Sequence, residues 1–390
     1  MNLPLEQHTL GIMTTLVRAA APAPRPAPGE RLRDRVWRLA SHVTTPLVPS
    51  DYLDMVHPLR TGGDLRARVV EVRRETREAV TVVLQPGRAW RGHVPGQYVR
   101  IGLDVDGVRR WRAYSLTSQV DRPDGCVSIT VKTIPDGVVS NHVVQRVRPG
   151  QLVHLDQATG DFVLPDVRPA KVLFVTAGSG ITPVMGMLRH ELARPDGLDD
   201  VVLVHSAPTR DDVIFGPELR RMAGTDCLRL VEQHTDEAGM LDAAAVADLV
   251  PDLSERETWA CGPTGLLTAL ENHWTRLGLA ERLHTERFRA SVVVGPADTG
   301  GTVRFSSSGT VVETDAVTPI LDAGEADGVL MPSGCRMGIC YGCVLPMREG
   351  SVRDLRNGDL TVASPQESGS GGVPIQTCIS AAAGPCDIDL

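Results

Sequence analysis

Three cysteines fall within nine residues, Cys335, Cys340 and Cys343, and a fourth, Cys378, stands well downstream. A C-x4-C-x2-C run with a distant fourth cysteine is the spacing that holds a 2Fe-2S cluster on four thiolates. Four thiolates must converge on two irons, and a single loop can present three of them at that spacing. Backbone N–H groups must also reach the cluster sulfurs, and Gly334, Gly338 and Gly342 leave the loop bare enough for that. The competing readings are a zinc site or buried thiols; zinc favours paired C-x2-C ligands, and there is no second pair. Cys386 competes with Cys378 for the fourth position. Its neighbours Asp387, Ile388 and Leu390 read as a last strand, so Cys378 is the expected ligand.

A chain of 390 residues has room for more than one such unit, at roughly 100–200 residues per domain. Its 42% hydrophobic and 23% charged composition is ordinary for packed cores. Lys132 and Lys171 are the lysines, and arginine supplies the rest of the base. That pattern suits a GC-rich genome, so arginine abundance alone means little. A net charge of −8 argues against nucleic-acid binding. The acid is concentrated late: residues 301–390 hold eleven Asp or Glu against five Arg, which suits a basic partner. Residues 1–62 lean the other way, with seven Arg against five acids. Four of the eight cysteines sit at cluster spacing, so no disulfide framework is expected. With no basic leader and no run of 18 apolar residues, the expected compartment is the reducing cytoplasm, with contact at the inner face of the membrane as a further option.

The organisation changes along the chain. Ala19–Gly29 is a Pro/Ala linker, and Arg31–Val43 is expected as a helix with Leu32, Val36 and Leu39 on one face and arginines mostly on the other. Short β-branched runs at Val69–Val72, Ala79–Leu84, Gln97–Gly102 and Val127–Thr133 predict an antiparallel barrel. After Pro169, the continuous apolar runs Val172–Thr176 and Val201–His205 alternate with helical stretches such as Pro183–Leu192, which predicts a parallel α/β domain ending near Phe288. Gly295–Gly301 reads as a hinge, and Val303–Phe305 with Val311–Thr314 as a hairpin. The expected division is an extension over 1–62, a barrel over 63–166, an α/β domain over 167–289, a linker over 290–301 and a cluster domain over 302–390.

Two sets of weak motifs gain weight from their order. Arg112-Ala113-Tyr114-Ser115 has the form R-x-Y-S: an arginine for a flavin pyrophosphate, a tyrosine to stack on isoalloxazine, a serine near flavin N5. Lys132 ends a strand, and Gly137-Val138-Val139-Ser140 is expected to open a helix with Ser140 as its cap, an anion site. Gly178-Ser179-Gly180-Ile181-Thr182-Pro183 follows a buried strand. It is G-x-G-x-x-P rather than the full dinucleotide fingerprint, with Thr182 expected as N-cap and Pro183 at the first helical position. Ser206 and Arg210 stand where an NAD site often places an acid, which favours NADPH; the alternative is a solvated loop arginine. Cys261-Gly262-Pro263 ends a further short strand, its thiol suited to the nicotinamide ring or simply to a buried core. Phe288 closes the α/β stretch and is counted among the cofactor contacts.

From Leu65 to Leu390 the chain resembles the ferredoxin–NADP reductase superfamily carrying a C-terminal plant-type ferredoxin. The resemblance implies an antiparallel β-barrel flavin domain, a parallel-sheet nicotinamide domain and a β-grasp ferredoxin domain. It implies that Arg112, Tyr114, Ser115, Lys132, Gly137 and Ser140 hold flavin, and that Gly178, Thr182, Cys261 and Gly262 face the nicotinamide cofactor. The Gly137–Ser140 turn looks like the FAD branch; the FMN branch, exemplified by phthalate dioxygenase reductase, usually lacks it. A narrower likeness runs through Thr44–Leu47, Asp51–Leu53, Trp111–Ser118, His205–Thr209, Trp259–Pro263 and Gly334–Cys340. It is similar to actinobacterial NADPH oxidoreductases that supply an acyl-CoA Δ9-desaturase, which implies FAD, NADPH and a membrane di-iron desaturase as partner. The implied work is hydride transfer from NADPH to flavin, aided by Ser115 and Cys261, then single electrons through the cluster. The rival readings are an NADH- and FMN-dependent reductase of a Rieske-type hydroxylase or a P450, and a redox sensor without enzymatic activity. The arginine face of the first helix suits anionic lipid, and its apolar face suits docking on the protein body.

Overall fold

The computed structural model describes residues 59, 65–135, 137–288, 300–338, 341–364 and 371–390. The expected linker at Ala19–Gly29, the Arg31–Val43 helix, Cys340 and all but the last two residues of the hinge lie outside them.

The first unit is an antiparallel sheet of β1 (Arg66–Arg74), β2 (Ala79–Pro86), β3 (Tyr98–Val105), β4 (Val108–Ser115), β5 (Val127–Lys132) and β6 (Leu152–Leu155), in the order β4-β3-β6-β1-β2-β5. A bridge between Leu116 and Ile129 joins the two edges and closes a barrel. Val82, Leu84, Ile101, Ile129 and Val131 fill its interior, with Val139, Val143 and Val144 of α1 (Val138–Arg146) packed against them. The sequence pattern does not announce β4, whose VRRWRAYS runs from exposed at Val108 and Arg109 through half-buried to buried at Ser115 instead of alternating. What makes it is the turn before it. Asp106 and Gly107 both take positive φ, 52° and 80°, and form the two-residue loop that matches strand twist in a tight hairpin.

The second unit is parallel: β7 (Val172–Ala177), β8 (Val201–Ala207), β9 (Leu228–His234), β10 (Glu257–Cys261) and β11 (Leu283–Glu286), in the order β11-β10-β7-β8-β9. Both faces are covered, which is why its strands read as unbroken apolar runs. Phe174, Leu203 and Trp259 pack on one face with α2 (Ile181–Glu191) and α3 (Gly216–Met222). Leu173, Val175 and Ala260 pack on the other with α5 (Ala243–Leu249) and α6 (Thr264–Arg276); α4 (Thr235–Ala238) is a single turn after β9. The strand order reverses between β7 and β10, so a crevice opens at the carboxyl ends of those two strands.

The third unit has β12 (Gly301–Phe305), β13 (Val311–Thr314), α7 (Ile320–Ala326), β14 (Val344–Asp354), β15 (Leu360–Ala363), β16 (Val373–Gln376) and β17 (Ser380–Ile388). The sheet order is β13-β12-β17-β14-β15, with β16 on β14 and β12 parallel to β17. Ile320 and Leu321 of α7 join Phe305, Met347 and Ile388 in its core, a β-grasp arrangement.

Barrel and parallel sheet are fastened through α2. Arg189 donates to the Thr117 carbonyl at 2.6 Å, is gripped by Glu218 at 2.9 and 2.7 Å, and lies 4.7 Å over the Phe215 ring. One turn earlier, Gly186 meets the barrel so closely that a Cβ would overlap the Leu116 carbonyl. Alanine in a helix interior ordinarily gains about 1 kcal/mol over glycine. Here Gly186→Ala is expected to lose about 1–3 kcal/mol through overpacking, read by denaturant unfolding. A variant as stable as the parent would show that this contact yields.

Candidate active site

A cavity of about 650 Å³ lies where the three units meet. The barrel supplies Arg110, Arg112, Tyr114, Ser115, Thr130, Lys132, Ile134, Pro135 and Gly137 to Ser140. The parallel-sheet unit supplies Ser179, Thr182 and Phe288, and the β-grasp unit supplies Asp322, Glu325, Cys335, Arg336, Met337 and Cys378.

On the barrel side, Arg112, Tyr114 and Ser115 close the end of β4. Burial, and then the charge of Arg336, lower the Arg112 guanidinium to about 10. Burial raises the Tyr114 phenol, so it stays protonated. The Ser115 hydroxyl is buried with no hydrogen-bond partner among the described residues. A buried orphan hydroxyl carries a desolvation cost that a ligand atom would offset. With Arg110, Arg112 and Lys132 in the same wall, the chamber fits an anionic flavin nucleotide. Lys132 lies 3.7 Å from Glu78. α1 opens after Gly137, as expected, but Ser140 is not its cap. It sits in the first turn, where its Oγ donates to the Gly137 carbonyl at 3.3 Å and accepts from the Ile134 N–H at 3.4 Å. A Cβ on Gly137 would overlap both Ile134 and that Oγ. Val139 lines the wall and packs into the barrel core.

On the nucleotide side, Gly178–Gly180 is a 3-10 turn entered with Gly178 at φ +54°, and α2 begins at Ile181. Gly180, not Thr182, holds the N-cap position. Thr182 lies inside the helix, its Oγ1 donating to the Ser179 carbonyl at 2.9 Å. Pro183 is correspondingly the third helical residue rather than the first; its missing N–H is harmless there because the first-turn donors have no helical acceptor. Gly180 presses on β10, where any Cβ would overlap the Cys261 carbonyl. Cys261 is fully buried, and burial raises its thiol far above the ordinary range. Gly262 and Pro263 lead into α6, with Pro263 at its N-cap. Ser206 is buried at the end of β8, while Arg210 is exposed in the turn beyond, with no ion pair among the described residues.

Sequence reasoning missed Glu286, at the end of β11. In register across the sheet, Glu232, His205, Thr176, Cys261 and Glu286 form one row at the carboxyl ends of all five strands. Burial lowers His205 to about 4, and its Nδ1 lies 2.8 Å from Thr176 Oγ1. Glu286 is half-buried as a residue, yet its Oε2 is sealed in without a partner among the described residues. Nothing in TERF separates that glutamate from an ordinary solvated one; only strand register does. Of the other expected residues, the cavity wall gathers Arg112, Tyr114, Ser115, Lys132, Gly137, Val139, Ser140, Thr182, Phe288, Cys335 and Cys378. Gly178, Gly180, Pro183, Ser206, Arg210, Cys261, Gly262 and Pro263 stand outside it.

The described thiols of the cluster motif converge. Cys335, Cys343 and Cys378 are all buried. Hydrogen bonding to Cys343, burial and the nearness of Cys335 push the Cys378 thiol upward, a crowding of sulfurs that bound iron would relieve. The Met337 N–H donates to Cys335 Sγ at 3.3 Å. Gly338 takes φ +75°, and a Cβ there would press on Arg356 and Ile379. Its carbonyl accepts from Gln376 at 2.9 Å, and Thr377 Oγ1 donates to the Cys343 carbonyl at 2.9 Å. Cys386 sits in β17, paired with Val303 and buried in the β-grasp core.

A flavin barrel, a nicotinamide sheet and an iron–sulfur unit around one chamber define an NAD(P)H-dependent oxidoreductase of the ferredoxin reductase type. The sequence matches the oxidoreductase FAD-binding domain over residues 68–164, the oxidoreductase NAD-binding domain over 174–272 and the 2Fe-2S iron–sulfur cluster binding domain over 304–383. It is 46% identical over 385 residues to an NADPH oxidoreductase of Mycobacterium tuberculosis (strain ATCC 25618 / H37Rv), covering 97% of this chain and 99% of that one. It is 31% identical over 297 residues to the glycine betaine monooxygenase reductase subunit of Chromohalobacter salexigens, covering 68% and 80%. Phthalate dioxygenase reductase shares the fold, with a TM-score of 0.57 at 24% identity over 84% of this chain and 98% of that one. The chain belongs to this family of ferredoxin reductase-type FAD and 2Fe-2S oxidoreductases.

Burial raises the Glu286 carboxyl from 4.5 to about 8. The folded protein therefore keeps a proton that the unfolded chain releases. That stability is complete in acid and is lost as pH climbs toward the folded value. Between about pH 5 and pH 8, Glu286→Gln is expected to gain on the parent by more than ~1.4 kcal/mol, the equivalent of one pKa unit, in denaturant titrations of nucleotide-free protein. Parallel curves would show that Glu286 ionises freely. For the thiols, Cys378→Ser is expected to lose iron and the visible cluster spectrum while Cys386→Ser keeps both; the reverse pattern would reassign the fourth ligand.

Proposed function

We propose that this protein takes electron pairs from NADPH and delivers them singly to an oxygen-activating partner, a membrane di-iron acyl-CoA desaturase. The observation that carries the reading is the shared chamber, whose wall includes Arg112, Tyr114 and Ser115, the first turn of α2, and Cys335 with Cys378. FAD and the 2Fe-2S cluster supply the redox chemistry when bound, one able to take a hydride and the other restricted to single electrons. The chain's residues position and tune. Arg112 would pair with the pyrophosphate, Tyr114 would stack on the isoalloxazine, and the orphan Ser115 hydroxyl would hydrogen-bond at N5. Lys132, Gly137, Val139 and Ser140 shape the phosphate end.

Toward the nucleotide, the Gly178–Pro183 turn would offer backbone N–H groups to the phosphates, while Cys261, Gly262, Pro263 and Phe288 would hold the nicotinamide. Cys335, Cys340, Cys343 and Cys378 ligate the irons. Ser206 and Arg210 select NADPH: Ser206 stands where an NAD site often places an acid, and Arg210 offers an exposed guanidinium beside Asp211 and Asp212. The 46% identical relative, which is called an NADPH oxidoreductase, supports that choice.

The desaturase rests on the likeness through Thr44–Leu47 and Asp51–Leu53. Among the described residues no helix is long and apolar enough to cross a membrane, so the partner would be met at the membrane surface. The relatives named as monooxygenase reductase subunits favour a second acceptor within the same class, an oxygenase. Pull-down from native cells with reduced protein tests this: recovery of a membrane desaturase supports the proposal, and recovery of an oxygenase or P450 replaces it. Arg210→Ala is expected to raise KM for NADPH about tenfold, ~1.4 kcal/mol, and to leave NADH unchanged in steady-state assays. An equal effect on both nucleotides would remove Arg210 from the 2′-phosphate site.

A further inference from the structure

The cluster loop has two sides. Cys335, Arg336 and Met337 look into the chamber, and ion pairs from Arg336 to Asp322 and Glu325 tie that side to α7. Tyr341 follows on the same loop, between Cys340 and Cys343, takes no part in the chamber wall and leaves 70% of its surface to solvent. Its φ of 54° lies in the left-handed region that L side chains disfavour. Glycine or asparagine would make this turn more easily and would expose no ring. Local structure therefore gives no reason for an aromatic here, whereas tyrosine is a residue of choice at the centre of protein contacts. The surrounding unit is acidic, with eleven Asp or Glu against five Arg over residues 301–390. Arg336, Arg348 and Arg356 each pair with a carboxylate, while Asp327, Glu349 and Asp359 face solvent. Arg356, which senses Tyr341 electrostatically, is held by Asp354 at 2.7 Å.

We infer that Tyr341 anchors the docking surface for the external electron acceptor, a protein with a basic face, and that the acceptor binds while Arg336 and Met337 remain on the chamber. The inference rests on the reading of the chain as a reductase for an outside protein. The overall reaction balances as one NADPH giving two electrons and one proton, with two one-electron acceptors each reduced once and the proton released to solvent.

Cytochrome c, a basic one-electron protein acceptor, is the probe, and ferricyanide the small-molecule control. In Tyr341→Asn, which suits the left-handed backbone, cytochrome c binding to the oxidised holoenzyme is expected to weaken at least tenfold at low salt. The kcat/KM for its reduction should fall in proportion. Cluster bleaching by NADPH and ferricyanide reduction should stay within twofold of the parent, and Tyr341→Phe should keep every parent value. Added salt should weaken binding to the parent protein. Unchanged cytochrome c binding in Tyr341→Asn overturns the inference, and so does a slowing of cluster bleaching equal to the slowing of cytochrome c reduction. A parent protein whose cluster NADPH does not bleach would instead refute the reductase reading, and the binding comparison would still judge Tyr341.

Discussion

Gly180 lies bare against the carbonyl of Cys261, at the point where the order of the parallel strands reverses. Neither backbone can retreat, because β7 and β10 are bonded in register from Val172 and Glu257 up to that contact. The first turn of α2 is thereby fixed relative to the sheet, and the rest of the helix carries the constraint outward. Gly186 meets the Leu116 carbonyl and Arg189 the Thr117 carbonyl, both just past the R-x-Y-S segment of β4. One close approach between backbones therefore sets where the Gly178–Gly180 turn lies and how the barrel sits beside it. Side chains at either glycine would push those two positions apart.

The chamber built around that contact holds opposed charge. Arg110, Arg112 and Lys132 stand on the barrel wall, and Asp322 and Glu325 come from the β-grasp unit with Arg336 held between them. Arg112 feels both Arg336 and Glu325, so the two units sense each other electrostatically across the space a flavin would fill. Orphan groups occur on both the barrel and the parallel sheet. Ser115 Oγ on one side and Glu286 Oε2 at the sheet's end are buried without partners among the described residues. Sealed polar atoms of this kind are costly in a finished protein and reasonable where a ligand completes them.

Much of this was legible in the residues. The cysteine spacing identified the last unit, and the switch from β-branched alternation to unbroken apolar runs after Pro169 separated barrel from parallel sheet, because the two sheets are buried on one face and on two. β4 was not legible, since Arg110 and Arg112 serve a chamber rather than a core. Nor were the helix caps. Thr182 and Ser140 look like caps in sequence, but each lies inside the first turn and returns its hydroxyl to a carbonyl, because a glycine already occupies the position before the helix. Glu286 was invisible for a deeper reason: its environment is made by Cys261 on a neighbouring strand, a pairing that no local pattern encodes.

The parallel pairing of β12 with β17 bears on how the iron–sulfur unit comes into being. Val303 meets Cys386 only after nearly the whole unit has been laid down between them. Such pairings are slow to form, because loop closure must precede any gain from the contacts. Three of the cluster thiols are therefore on the chain before the strand that completes the sheet, and Cys378 lies at the threshold of that strand. The antiparallel pairing of Val344 with Gln376 brings Cys378 beside Cys343 through a much shorter loop than the one that β12 and β17 must close. The sulfurs are thus gathered by local pairing, while the sheet around them is completed by the most distant contact in the unit.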